Sequence, residues 1–155
     1  MFRLARTLGR LAAAGLCLSA LAGAGEGATV TAAPTHLLVV DKVTGQLVGV
    51  DLASGETASA RVGAGAEGLA LTPDGAELWV GSNDEHEVHV LRPADLETLD
   101  VLPTCRRPIR VAPVGERRMA VTCHADSEVL LFDAVSHERA GSVRLPVGSA
   151  PVGTL

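Results

Sequence analysis

From residue 37 onward, short apolar runs alternate with clusters of turn-forming residues, and the alternation repeats. Three passages align without a gap at a spacing of 41 residues: LLVVDKVTGQLVGVDLASGET (37–57), LWVGSNDEHEVHVLRPADLET (78–98) and MAVTCHADSEVLLFDAVSHER (119–139). Leu37, Leu78 and Met119 correspond, as do Val39, Val80 and Val121, and Leu47, Val88 and Val129. The runs are short, and they end at turn residues such as Pro73-Asp74-Gly75 and Asn83-Asp84-Glu85, so they read as strands. The middle repeat predicts four: GLALTP (68–73), AELWVGS (76–82), HEVHVLRP (86–93) and LETLDVLPT (96–104). The third repeat predicts IRVAP (109–113), RRMAVTC (117–123), EVLLFD (128–133) and ERAGSVRLPV (138–147). Here Val114-Gly115-Glu116 replaces the Pro-Asp-Gly turn. The last strand is expected to run about two residues longer than its counterpart, because Leu145-Pro146 aligns with Leu102-Pro103. The first repeat supplies LLVVD (37–41), QLVGVD (46–51) and ETASARVG (56–63), and lacks an inner strand.

Four short antiparallel strands in a unit of about 40 residues make one blade of a β-propeller. The expected fold is therefore all-β: an incomplete propeller with a partial blade over 37–67, blades over 68–108 and 109–150, and the start of another at 151–155. The composition suits this, being 47% hydrophobic with only 2% aromatic residues. Apolar bulk made of Val, Leu and Ala fits sheets packed closely face to face.

The N-terminus has a different pattern. Arg3, Arg6 and Arg10 precede an uncharged stretch from Leu11 to Gly25, and Ala22-Gly23-Ala24 offers small residues for cleavage. This predicts a signal peptide over 1–24 and a small, polar leader over 25–36. The stretch is too short for a comfortable membrane span, and an uncleaved anchor stands as the alternative. Cys17 follows Leu16, where a lipoprotein signal wants a small residue. The expectation is an exported protein, periplasmic or extracellular, with no membrane span after cleavage. Loss of the three arginines takes the formal charge from −5 to −8, which disfavours a nucleic-acid partner.

In a propeller, the loops from second to third strand and from blade to blade share one face, around the central channel. Here they carry the candidate ligand residues Asp84, His86, Arg106, Arg107, His124 and Asp126. Cys123-His124 with Asp126, His86 and Asp84 could ligate a metal or haem, although the spacing matches no closed zinc motif and no cofactor is predicted. Arg106, Arg107 and Arg110 could hold an anion; alternatively they pair with Glu67 or Asp84. Cys105 precedes an inner strand whose antiparallel partner ends at Cys123. The two thiols should lie at one blade end, either bonded, as export permits, or free and buried. His89 has Val48 and Leu130 as equivalents, so it is expected to be a core imidazole with a hydrogen-bond partner. No nucleophile elbow, P-loop, dinucleotide fingerprint or H-E-x-x-H occurs, so no catalytic residue is assigned.

LTPDGAELWVGSN (71–83), EVHVLRPADLETLDVLP (87–103), VTCHADSEVLLFDAVSHE (121–138) and LPVGSAPVG (145–153) resemble the repeat of the YVTN-family β-propellers, relatives of the WD and NHL propellers. The resemblance covers 37–155. It departs from the family pattern at Val114-Gly115-Glu116, at Thr122-Cys123-His124 and at Asp41-Lys42. Seven such blades would take about 290 residues. The resemblance therefore implies an N-terminal fragment whose ring needs further blades to close, and which alone should be aggregated or molten. The repeats, the expected signal peptide and the absence of catalytic motifs point to a non-catalytic module that binds or scaffolds a protein, a surface polymer or a small ligand. Two alternatives stand beside that: a periplasmic enzyme's propeller domain (amine-dehydrogenase-like, haem d1-binding or lactonase-like) and a cell-surface repeat.

Overall fold

Alternation along the chain becomes strand after strand, because period-two side chains place one apolar row on each face of a pleated segment. A computed structural model describes residues 36–153; the expected signal peptide, the leader up to residue 35, and residues 154–155 lie outside the described residues. The strands are β1 (His36–Asp41), β2 (Gln46–Asp51), β3 (Thr57–Arg61), β4 (Ala66–Leu71), β5 (Leu78–Ser82), β6 (Glu87–Leu91), β7 (Thr98–Pro103), β8 (Pro108–Val114), β9 (Arg118–Cys123), β10 (Glu128–Asp133) and β11 (Arg139–Arg144). They form three antiparallel sheets in chain order, β1–β3, β4–β7 and β8–β11. The described residues are an arc of a β-propeller, with two four-stranded blades and one of three strands.

The 41-residue spacing is reproduced in the register. Val39 faces Val48 in the first sheet, Val80 faces His89 in the second, and Val121 faces Leu130 in the third. It also appears in the backbone. The turn between second and third strands ends on a left-handed residue each time: Gly45 at φ 68°, His86 at 63° and Ser127 at 52°. The next turn does the same with Gly55 at 75°, Leu96 at 59° and His137 at 60°. Glycine takes this conformation freely, whereas a residue with a Cβ is held there by its surroundings.

Strand ends differ from the sequence-based expectation by one to three residues, with β4 starting at Ala66 and β8 at Pro108, and two differences in the third sheet have a physical reason. Strand β8 continues through Val114, which pairs with Arg118, so the hairpin turn is residues 115–117 rather than Val114-Gly115-Glu116. One extra residue in the connection before β8 is offset by this shorter turn: Ala112↔Ala120 takes the place of Ala70↔Trp79. Strand β11 is also no longer than β7. Glu128↔Arg144 repeats Glu87↔Pro103, and the Leu145 N–H donates to Ser127 O as the Thr104 N–H does to His86 O. The additional residues fall in the turn after Leu145, where Gly148 has φ 84°.

Between the first two sheets lie Leu47, Val62, Ala66, Leu78, Val80, Leu91 and Leu96. Between the second and third lie Trp79, Val88, Val90, Val111, Met119, Val121, Leu130 and Phe132. Each buried Val or Leu contributes about 1.5–3 kcal/mol of transfer free energy, so these two seams hold the blades side by side.

Candidate functional site

The turns at 83–86 and 124–127 and the connections at 62–65 and 104–107 are stitched together by main-chain hydrogen bonds. The Asp84 N–H donates to Ala64 O at 3.2 Å and the Thr104 N–H to His86 O at 2.9 Å. The His124 N–H donates to Arg107 O at 3.1 Å and the Ala125 N–H to Arg106 O at 3.3 Å. These loops therefore share one end of the sheets, where main-chain groups that have left the ladder still find partners.

Five of the six candidate residues meet around the second connection. Asp126 accepts from the Arg106 main-chain N–H at 2.8 Å and from Arg106 Nε at 2.7 Å. The main-chain bond first, and the side-chain bond after it, hold the Asp126 carboxyl below the usual carboxylate range. His86 Nδ1 lies 3.0 Å from Asn83 O and 3.3 Å from the Arg107 N–H, so the loop itself fixes the ring. Arg107 is left-handed, at φ 59°. Arg106, His124 and Asp126 line an open groove of about 630 Å³ with Ser127, Glu128 and Arg144. Asp84 stands apart, in the turn at 83–86 but packed against the first connection at Gly65, where a Cβ would come within 2.9 Å of its carboxyl carbon. Glu67 is taken by Lys42 at 2.7 Å and Asn83 Nδ2 at 3.0 Å rather than by Arg106 or Arg107.

Cys105 and Cys123 are joined as a disulfide with Cα atoms 5.6 Å apart. Cys123 is thus not a thiolate ligand beside His124, which leaves a cluster of only oxygen and imidazole donors there.

Two histidines depart in part from the sequence-based expectation. His89 is 9% exposed, and neither ring nitrogen has a hydrogen-bond partner, so the expected core imidazole is buried but not satisfied. An unpaired buried polar group costs about 1–3 kcal/mol. Burial lowers its pKa, against the charges of Glu87 and Glu85, which raise it. His137, assigned no role from sequence, is clamped across the second and third sheets. Its Nδ1 is 2.8 Å from Asp100 Oδ2 and its Nε2 2.9 Å from Glu77 Oε2. The same Glu77 oxygen accepts from Trp79 Nε1 at 3.2 Å, and the Trp79 and His137 rings meet edge to face at 5.5 Å.

An arc of four-stranded antiparallel blades defines the class of protein as a β-propeller. No protein-family model matches the sequence, and no curated protein sequence matches it. Solved structures do. Hydrazine synthase from Kuenenia stuttgartiensis is similar with a TM-score of 0.66 at 18% identity, over 73% of this chain and 33% of that one. Dihydro-haem d1 dehydrogenase NirN, in complex with DHE, gives a TM-score of 0.63 at 16% identity, over 70% and 24%. Apo AztD from Citrobacter koseri gives 0.59 at 14% identity, over 66% and 30%. The chain thus spans from about a quarter to a third of these structures. At such identities the likeness is one of fold. Among the described residues, no helix is long and apolar enough to cross a membrane.

Proposed function

We propose that this chain is part of an exported, YVTN-like β-propeller module that binds a ligand through the loops of one face and performs no reaction itself. The observation that carries this reading is the groove beside the second connection, where Arg106, His124, Asp126 and Arg144 converge. Arg106 is neutralised by Asp126 and Glu128 pairs with Arg139 at 3.3 Å, whereas Arg144 makes no ion pair among the described residues. The Arg144 guanidinium, which lines the groove with His124, favours a carboxylate or phosphate group on the ligand, and an acidic polymer or small organic acid fits that description. Export rests on the charged and apolar N-terminal pattern.

The experiment is a titration of the full chain with inorganic phosphate and with oligogalacturonate, read by calorimetry. Saturable binding that weakens about tenfold or more in Arg144→Ala is expected, because a charge-assisted hydrogen bond contributes about 1.5–3 kcal/mol. Binding of neither probe, or binding unchanged by the substitution, counts against the reading. Hydrolysis of a sugar lactone, or a haem spectrum in protein from its native host, would favour the alternative of an enzyme's propeller domain.

A further inference from the structure

A second cluster lies away from that groove, on the face of the second sheet that packs toward the first. Glu87 and His89 are two residues apart on β6 and so project from the same face. Glu85 reaches the same spot from the preceding turn. His89 Nε2 is 3.8 Å from Glu87 Oε2 and 4.0 Å from Glu85 Oε2, and the three donor atoms all lie within 4.8 Å of one another. These separations are too long for hydrogen bonds, and both ring nitrogens are buried without a partner. We propose that Glu85, Glu87 and His89 form a binding site for a divalent transition-metal ion of the zinc class.

Three observations converge on this. First, the spacing suits an ion. Bonds of about 2.0–2.2 Å place tetrahedral ligand atoms about 3.4 Å apart. The three donors need close by only a few tenths of an ångström to about 1.4 Å, which rotation of the two glutamates supplies. Second, one of the two carboxylates is oriented. Glu85 Oε1 is held by the Ala64 N–H at 3.2 Å and faces Arg61 at 3.8 Å, leaving Oε2 directed at the imidazole. Gly63, at φ 83°, makes room for this carboxylate: a Cβ there would stand 2.8 Å from Glu85 Cδ. Third, the repeats supply an internal control. The third repeat has Asp126, Glu128 and Leu130 at the equivalent positions, and each acid has its own guanidinium, Arg106 and Arg139 respectively. In the second repeat Ala64 and Thr98 stand where those arginines do, and a histidine replaces the leucine. The second repeat has thus lost the guanidinium opposite Glu87 and gained a nitrogen ligand, while Glu85 keeps only the more distant Arg61 at 3.8 Å. One imidazole and two carboxylates would suit an ion of borderline softness, and the Glu85 and Glu87 side chains are each 37% exposed, so an ion could reach them from solvent.

The full chain, stripped of metal with a chelator, is titrated with Zn²⁺ alone by calorimetry and with Co²⁺ by visible absorbance. One ion per chain is expected, with a thermal midpoint that rises with metal concentration. His89→Leu copies the third repeat, and Glu87→Gln keeps the shape of the side chain. Each should weaken binding by more than about a hundredfold, since even groups outside the coordination shell are worth 10–100-fold. Trp79 emission reports whether each variant folds, and Glu87→Gln, at a half-buried position, decides the matter if His89→Leu does not fold. The absence of saturable binding, or an unchanged affinity in the folded variants, overturns the proposal.

Discussion

His137 has the most demanding environment of any single residue described. It is left-handed, its side chain is 14% exposed, and it bridges two carboxylates from a neighbouring blade. Burial alone would lower its pKa, but the hydrogen bonds to Asp100 and Glu77, with their charges, outweigh it and leave the value raised. The sign of the pH dependence follows. A histidine with a raised folded pKa stabilises fully below its unfolded value of about 6.5, and that contribution is lost as pH rises through the folded value. Asp100 has a pKa lowered chiefly by the His137 bond, so its contribution is present above about 3.9 and is lost as pH falls. The clamp is therefore strongest between about pH 4 and 6.5. Asparagine tolerates the left-handed backbone but cannot span both acids, so His137→Asn should cost about 1–2 kcal/mol near pH 5.5 and much less near pH 8.5. Urea melts at the two pH values check this, and an equal cost at both would show that His137 does not change its charge between them. Trp79 is the chain's one tryptophan and touches His137, so its emission should titrate with the same midpoint.

At the scale of elements, much was legible because the physics is local. Alternation located the strands, Pro73-Asp74-Gly75 located a turn, and the 41-residue spacing placed equivalent pairs opposite one another. What escaped were compensations between neighbouring elements. The extra residue ahead of β8 is absorbed by a shorter hairpin, and no pattern within either segment shows that. The clamp also escaped, because His137 meets Glu77 and Asp100 across 60 and 37 residues of sequence. His89 was legible as buried, since its equivalents are Val48 and Leu130, but its lack of a partner depends on the rotamers of Glu85 and Glu87. The Cys105–Cys123 bond joins the connection before β8 to the far end of its partner strand β9, across a sequence separation of 18. Closing a loop of that size stabilises by about 3 kcal/mol in the chain-entropy account. Cys123 is also fully buried in the seam between the second and third sheets. Reduction by dithiothreitol should therefore lower the urea midpoint of the full chain by an amount equivalent to about 3 kcal/mol. Cys105→Ser, which leaves the buried Cys123 in place, should reproduce the shift, and a midpoint indifferent to reductant would mean that the bond is absent in solution.

For the whole molecule, the arc depends on blades that converge toward one edge. Side chains of ordinary size fill the wide part of each seam, as Trp79 does against Phe132 with ring centroids 5.9 Å apart. Toward the inner strands there is no such room. A Cβ at Gly68 on β4 would stand 2.8 Å from the Arg110 Cα on β8, and one at Gly81 on β5 would stand 2.8 Å from the Pro108 carbonyl oxygen. The neighbour in both cases is backbone of the next blade, which cannot turn aside as a flexible side chain would. The two glycines thus fix how closely the second and third sheets approach, and through that the angle between them. Gly68→Ala should push the blades apart at their inner edge and cost about 1–3 kcal/mol, with loosening of the Trp79 environment. Gly141 on β11 provides the comparison, because a Cβ there meets nothing within 4 Å. Gly141→Ala should be neutral or stabilising by up to about 1 kcal/mol through loss of unfolded-chain entropy. Paired urea melts of the two variants measure the difference. Equal midpoints would place the control of blade spacing in the outer side chains instead of the inner backbone.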